Sequence, residues 1–325
     1  MSHELRVAVV GAGRMGYDHI KRISSDRIVG ARVSVVVDIN EKAAQRAVEG
    51  IENVKIYTDF HKAIEAKEVD AVLIATPGFL HAPVLQPALE AGLPILCEKP
   101  LTPDSNSSYE IVKAEVATGK KLIQVGFMRR FDGGYRTIRA AVESGMAGEL
   151  LQLECEHINP DVPESYTGRS LIDDTVVHEF DGVRFLTGEE IKSVQVLYGK
   201  KTNLAIGQLQ DPAKVIMQTE SGVLVTVNTH VTAQYGYSVT TKAIFEKNHL
   251  SVGNDLVSSS FEPRFVDAYD QEVQAWVDAA RTGVQVGPTA WDGYAAAACC
   301  EAGMKALETG KVVDVLLEEK PDLYK

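Results

Sequence analysis

The run Gly11-Ala12-Gly13-Arg14-Met15-Gly16 follows directly on the apolar stretch Leu5–Val10 and opens a helical pattern, and nothing else in the chain restricts the fold as tightly. The spacing G-x-G-x-x-G between a strand and a helix has a physical reading. Gly11 permits a tight turn, Gly13 lets main chain approach a pyrophosphate, and Gly16 lets helix and strand pack closely. The first turn of the helix, Arg14 and Met15 included, then offers its N–H groups to phosphate oxygens. A second apolar run, 33–37, ends in Asp38, 22 residues beyond Gly16. A carboxylate there accepts hydrogen bonds from the adenosine ribose hydroxyls and repels a 2′-phosphate, which selects NAD over NADP. Arg32 and Arg46 lie nearby in sequence but do not replace it. The competing reading makes Asp38 an N-cap for a helix starting near Glu41.

Further apolar runs at 71–75, 94–97 and 122–125 read as strands buried on both faces. Helical segments at 15–24, 41–48, 60–66, 81–91 and 104–118 lie between the strands, so residues 1–125 are expected to form an α/β dinucleotide-binding domain with a parallel sheet. Beyond Gly126 the pattern changes. A helix at 134–144 leads to a strand at 150–157, a Pro-containing loop and a helix at 174–186. Strands then follow at 193–198, 215–220, 223–231, 238–246 and 249–252 without intervening helices. This predicts a second domain over 126–325, α+β in class, with an open and mainly antiparallel sheet. Helices at 268–282 and 291–309 close the pattern, with Trp276 and Trp291 as core, and are free to pack back on the first domain. A length of 325 residues suits two domains.

The formal charge of −12 argues against non-specific binding to nucleic acid or anionic membrane. No apolar run approaches the roughly 20 residues that cross a bilayer, and the opening residues lack a signal-peptide layout. Cys97, Cys155, Cys299 and Cys300 show no CxxC spacing. They read as buried free thiols in a reducing compartment, and the expected location is cytoplasmic.

Thr76-Pro77 ends one strand and Glu98-Lys99-Pro100 the next, at the edge where open α/β sheets take their ligands. His81 follows at a helix start, either touching the cofactor or serving as a capping or surface residue. With Asp174-Thr175-Val176-Val177-His178-Glu179-Phe180-Asp181 further on, the set of motifs resembles the glucose–fructose oxidoreductase/inositol dehydrogenase superfamily over most of the chain. The inositol dehydrogenase subgroup is suggested by Gln124 to Asp132, by Cys155 to Pro160, and by Tyr235-Gly236-Tyr237. Ile158 departs from this pattern, standing where those enzymes carry Arg. The resemblance implies NAD-dependent oxidation of a secondary ring hydroxyl of a cyclic polyol, with contacts to the cofactor from Thr76, Pro77, His81, Glu98 and Lys99. The alternatives are a dehydrogenase or reductase of another sugar and a non-catalytic dinucleotide-binding sensor.

Asp174 and His178 are four residues apart, so on a helix they share a face, and Asp181 lies on the same stripe. Imidazole, with a pKa of about 6.5, suits removal of a hydroxyl proton at neutral pH. Taken alone, the stripe favours a structural reading, with Asp174 as a helix cap, His178 as an interior histidine and Asp181 at the surface. The resemblance assigns the base to His178, substrate or imidazole positioning to Asp174, and a hydrogen bond to the reacting oxygen to Lys99. Asp181 is either structural or a partner of Lys99. Arg129, Arg130, Asn159, Tyr235 and Tyr237 are expected at pocket edges as polyol ligands, with a local Arg130–Asp132 pair as the structural alternative for Arg130. His178-Glu179 begins like HExxH, but Gly182 removes the second ligand, so no metal is expected. One face of the open sheet calls for a partner, and the apolar alternation in 223–231 fits such burial. Relatives pair these sheets, which implies a homotetramer.

Overall fold

The computed structural model describes residues 4–253 and 257–325. The chain divides into two compact units. The first holds the described residues through Phe127, together with Tyr269–Tyr294 and Glu319–Lys325; the second holds Met128–Ala268 and Ala295–Glu318.

In the first unit the strands are β1 (Leu5–Val10), β2 (Ala31–Val37), β3 (Lys55–Tyr57), β4 (Ala71–Ile74), β5 (Ile95–Glu98) and β6 (Ile123–Gly126). Helices α1 (Arg14–Ile23), α2 (Glu41–Ala47), α3 (Phe60–Glu65), α4 (Ala82–Glu90) and α5 (Ser105–Thr118) connect them. The sheet is parallel throughout in the order β3-β2-β1-β4-β5-β6. The chain thus winds outward in both directions from the β1/β4 boundary, which opens a crevice at the strands' C-terminal ends. The register aligns those ends: Val10 lies opposite Val37 and Ile74, and Glu98 opposite Gly126. The short strand β3 escapes sequence reading because three partly exposed residues carry no period. Trp276 is fully buried among Ile20, Val9 and Leu96, so the C-terminal helical segment is part of this core.

The second unit contains α6 (Gly133–Ser144), β7 (Leu150–Ile158), the single turn α7 (Gly168–Ser170) and α8 (Val177–Thr187). Strands β8 (Ile191–Tyr198), β9 (Ala213–Thr219), β10 (Leu224–His230), β11 (Ser238–Phe245) and β12 (His249–Val252) follow. Helices α9 (Phe261–Thr282) and α10 (Ala290–Thr309) each begin in one unit and end in the other, and β13 (Val313–Asp314) closes the sheet. Its order is β12-β11-β7-β10-β9-β8-β13, with β7 and β10 parallel and every other pair antiparallel. Helices α6 and α8 pack together, and α8 also packs on β7 and β8.

Two expectations are corrected here. The apolar alternation of 223–231 points inward: Val225, Val227 and Val231 are fully buried in the chain's own core, while Leu224, Thr226 and Asn228 alternate with them toward the other face. The helix expected over 174–186 starts only at Val177 and is preceded by a π-helical stretch, Leu171–Val176. The wider turn shifts Asp174 off the simple i, i+4 stripe with His178.

Candidate functional site

In the first unit the glycine loop is bonded to the neighbouring strand ends. Gly11 has φ +98°, a left-handed conformation that suits glycine, and its N–H donates to the Val37 carbonyl at 2.7 Å. A Cβ on Gly11 would lie 2.7 Å from the Ala75 carbonyl oxygen, and one on Gly16 would lie 1.9 Å from the Gly11 carbonyl oxygen. At Gly13 a Cβ would meet nothing within 4 Å, so this face is open to a ligand. Gly13 is the N-cap of α1 and no side chain caps it, which leaves that helix end suited to phosphate.

Asp38 sits beside this loop. Its Oδ2 accepts the Ala12 N–H at 2.6 Å and its Oδ1 accepts the Asn40 N–H at 2.8 Å. The capping alternative for Asp38 does not hold, because the N-cap of α2 is Asn40, whose side chain accepts from Ala43. The loop, the uncapped helix end and a carboxylate at the end of β2 together fit a dinucleotide with an unphosphorylated ribose.

Thr76 and Lys99 are half-buried and Pro77 is exposed at the ends of β4 and β5. His81 is fully buried, not a surface residue, and its ring faces main-chain carbonyls. Its Nε2 lies 2.7 Å from the Thr76 carbonyl, and its Nδ1 lies 2.8 Å from the Pro100 carbonyl and 3.3 Å from Cys97 Sγ. Burial pushes the His81 pKa down, although the surrounding carbonyls favour the charged ring. Glu98 is also buried, and its Oε1 lies 2.7 Å from Nε2 of His19 on α1. Burial holds the Cys97 thiol well above its ordinary value, so it is an inert interior group.

In the second unit, His178 is half-buried on the first turn of α8 and Asp174 is exposed in the π-helical turn. His157 on β7 lies beside His178, with ring centroids 6.3 Å apart, and its ring meets Tyr237 edge-on at 6.0 Å. Arg129 is corrected from a pocket edge to the interior, where it is 1% exposed. It pairs with Glu179, and its Nη2 lies 3.1 Å from His157 Nδ1, which is itself 3.0 Å from Glu179 Oε1. Burial opposes both charges of the pair, but each partner outweighs it: Glu179 raises the Arg129 pKa, and Arg129 with His157 lowers that of Glu179. Burial pushes the Tyr237 hydroxyl up to about 12.

The local Arg130–Asp132 pair is also corrected. Arg130 forms a two-nitrogen bond to the buried Asp181, at 3.0 and 2.6 Å, whereas Asp132 caps α6 and pairs with Arg264 at 2.8 Å. Asp181 is thus the buried acceptor for the Arg130 guanidinium. Asn159 is half-buried at the end of β7, and its Nδ2 lies 3.5 Å from Thr175 Oγ1, which bonds Tyr166 at 2.5 Å. Tyr235 is 63% exposed, with its ring near His230. Ile158 is buried.

The sequence names Ala12, His157 and Glu179 only as members of motifs, with no role of their own, and gives no sign of His19. Strand alternation does place His157 on the inner face with Leu153 and Cys155, and that signal was available. Among the described residues no cluster of three or more His, Cys, Asp or Glu side chains could hold a metal ion. Among the same residues no helix is long and apolar enough to cross a membrane.

Comparison with known proteins agrees with this geometry. Residues 5–127 match the oxidoreductase family with an NAD-binding Rossmann fold, residues 135–251 the GFO/IDH/MocA C-terminal domain, and residues 244–315 the oxidoreductase C-terminal alpha/beta domain. The chain is 54% identical to inositol 2-dehydrogenase 1 of Paenarthrobacter aurescens and 51% identical to inositol 2-dehydrogenase of Corynebacterium glutamicum, covering 100% of both chains in each case. Its fold is similar to that of myo-inositol dehydrogenase from Lactobacillus casei, solved with NAD(H) and myo-inositol. That similarity has a TM-score of 0.95 at 34% identity, over 99% of this chain and 100% of the other. With a parallel sheet that carries an NAD-type glycine loop and a mainly antiparallel second sheet, the chain belongs to the GFO/IDH/MocA family of NAD-binding oxidoreductases.

Proposed function

We propose that the protein oxidises a secondary ring hydroxyl of a cyclic polyol, myo-inositol or a stereoisomer, to the corresponding ketone with NAD. The observation that carries this reading is full-length identity of 54% to a protein named inositol 2-dehydrogenase, together with the half-buried His178 beside His157. NAD supplies the hydride acceptor when bound, so the reaction yields ketone, NADH and a proton. Gly11, Gly13 and Gly16 with the α1 amides of Arg14 and Met15 hold its pyrophosphate, Asp38 the adenosine ribose, and Thr76, Pro77 and Lys99 the reacting end.

His178 accepts the hydroxyl proton, since a half-exposed imidazole both reaches substrate and returns the proton to water. Asp174 orients the hydroxyls and the ring, and Lys99 donates to the oxygen that becomes the carbonyl. Asn159 and Tyr235 supply directional bonds to the other hydroxyls. The buried Ile158 cannot, which leaves stereoisomer choice to these polar neighbours.

The active form is a homotetramer in the cytoplasm. The face of the second sheet that carries Leu224 and Leu197, each 41% exposed, supports a subunit contact. The four free, buried cysteines suit a reducing compartment.

The test is NADH formation, followed by its near-ultraviolet absorbance, with NAD and a panel of inositol isomers, glucose and xylose. Turnover confined to one or two inositols is expected. Turnover on aldoses alone would replace the substrate, and NAD binding without any turnover would replace the enzyme with a sensor.

A further inference from the structure

Lys99 lies in a turn held on both sides by buried imidazoles, one on α1 and one at the N-cap of α4. On one side, His19 on α1 is 0% exposed, and its Nε2 meets Oε1 of Glu98, the residue before Lys99, at 2.7 Å. On the other side, His81 is 0% exposed, and its Nδ1 meets the carbonyl of Pro100, the residue after Lys99, at 2.8 Å. The Leu101 carbonyl is 3.2 Å from the same nitrogen, and His81 Nε2 meets the Thr76 carbonyl at 2.7 Å. The turn is also packed tightly: a Cβ on Gly78 would lie 2.9 Å from Pro100 Cγ, and one on Gly126 would lie 2.9 Å from Glu98 Oε2.

Burying an imidazole is unfavourable unless its nitrogens are bonded, and a leucine or methionine would fill either space without that demand. What the two rings add is direction. His19 fixes Glu98 against α1, the helix whose uncapped N-terminus would receive the cofactor phosphates, and His81 links Pro100 to the end of β4. Both links bracket one residue and span 79 and 19 positions of sequence respectively.

We infer that His19 and His81 are positioning residues that set the Lys99 turn relative to the glycine loop and the Thr76 strand end. The inference rests on the role proposed for Lys99. A lysine displaced by about 1 Å from the reacting oxygen loses on the order of 10²-fold in rate, while cofactor held by the glycine loop remains bound.

The test uses the full chain with His81→Asn, His19→Leu and His19→Gln. Asparagine is shorter than the ring whose two nitrogens face the Pro100 and Thr76 carbonyls, whereas glutamine at position 19 keeps a donor for Glu98. With a polyol that the wild-type enzyme turns over, H81N and H19L should lower kcat about 10-fold or more. The primary deuterium isotope effect at the reacting carbon should rise, and the NAD dissociation constant should stay within about 2-fold. H19Q should recover most of the H19L loss. Independently of turnover, the ¹³C signal of reductively methylated Lys99 should lose its NAD-induced shift in H81N and H19L and keep it in H19Q.

Folded H81N and H19L proteins with wild-type kcat, isotope effect and Lys99 shift would overturn the inference. So would parallel loss of NAD binding and kcat in both, which marks general damage to the fold. An inactive wild-type enzyme would sink the proposed reaction alone, because the Lys99 shift still decides the positioning role.

Discussion

Oδ2 of Asp38 accepts the main-chain N–H of Ala12 at 2.6 Å, so the carboxylate at the end of β2 also holds the glycine loop that follows β1. The two parts of the dinucleotide signature form one unit: the acid that would select the ribose also fixes the loop that would cradle the phosphates. Replacing it should therefore affect affinity as well as cofactor choice.

For Asp38→Ala, the Ala12 amide loses its partner and the negative charge that opposes a 2′-phosphate disappears. The KM for NAD should rise about 10-fold, in line with loss of a charge-assisted hydrogen bond, and the preference for NAD over NADP should narrow. Steady-state kinetics with both cofactors checks this. An unchanged NAD/NADP ratio would remove Asp38 from ribose selection.

Gly16→Ala tests the packing that the loop needs. The added Cβ would lie 1.9 Å from the Gly11 carbonyl oxygen, which is main chain in a left-handed turn and not a movable side-chain end. Relief requires the turn itself to shift, at roughly 1–3 kcal/mol. NAD binding should weaken strongly while the second unit keeps its fold. Calorimetric titration with NAD, alongside circular dichroism, measures both.

The parts of this molecule that were legible in sequence are those whose cause is local. The β1–glycine loop–α1 transition depends on contiguous residues, and β7, β10 and β11 carry the period of two that marks a strand, although that period does not say what covers the apolar face. What escaped depends on contacts between distant positions. His19 meets Glu98 across 79 residues, and Arg130 finds Asp181 across 51, in preference to the nearer Asp132. No spacing rule announces such pairs. His81 reads locally as a helix-start residue able to reach a ligand, and only the fold shows both its nitrogens turned onto carbonyls. The π-helical turn before α8 was hidden for a related reason: an i→i+5 pattern leaves no distinct hydrophobic period in six residues.

His178→Ala should reduce kcat by about 10²-fold or more, because the hydroxyl proton then has no positioned acceptor. The change should leave NAD affinity intact, since His178 lies in the second unit and the glycine loop in the first. Asp174→Asn, from an exposed position in the π-helical turn, should act through substrate as well, raising the polyol KM along with its effect on kcat. Kinetics of the two variants at saturating NAD separate these roles. An H178A enzyme with normal turnover would require another base.

Glu179 gives the second unit a defined acid sensitivity. Burial alone would raise its pKa, yet Arg129 and His157 hold it below the ordinary carboxylate value. The unfolded chain, with a glutamate pKa of about 4.3, then binds a proton more readily than the folded one. The stabilisation is therefore fully present above that unfolded pKa and is lost as pH falls through the lower folded pKa. Glu179→Gln removes the charge and leaves the Arg129 guanidinium, 1% exposed, without its carboxylate. Near neutral pH that variant should be less stable by about 3–5 kcal/mol, the penalty for breaking a buried pair by removing one partner. The gap between wild type and E179Q should then begin to narrow as pH drops below the unfolded glutamate value of about 4.3, and close as pH passes through the lower folded pKa. Urea midpoints for both proteins across a series from neutral to acid pH read this directly. A gap that stays constant to the acid limit would mean that the Arg129–Glu179–His157 cluster contributes through packing and not through charge.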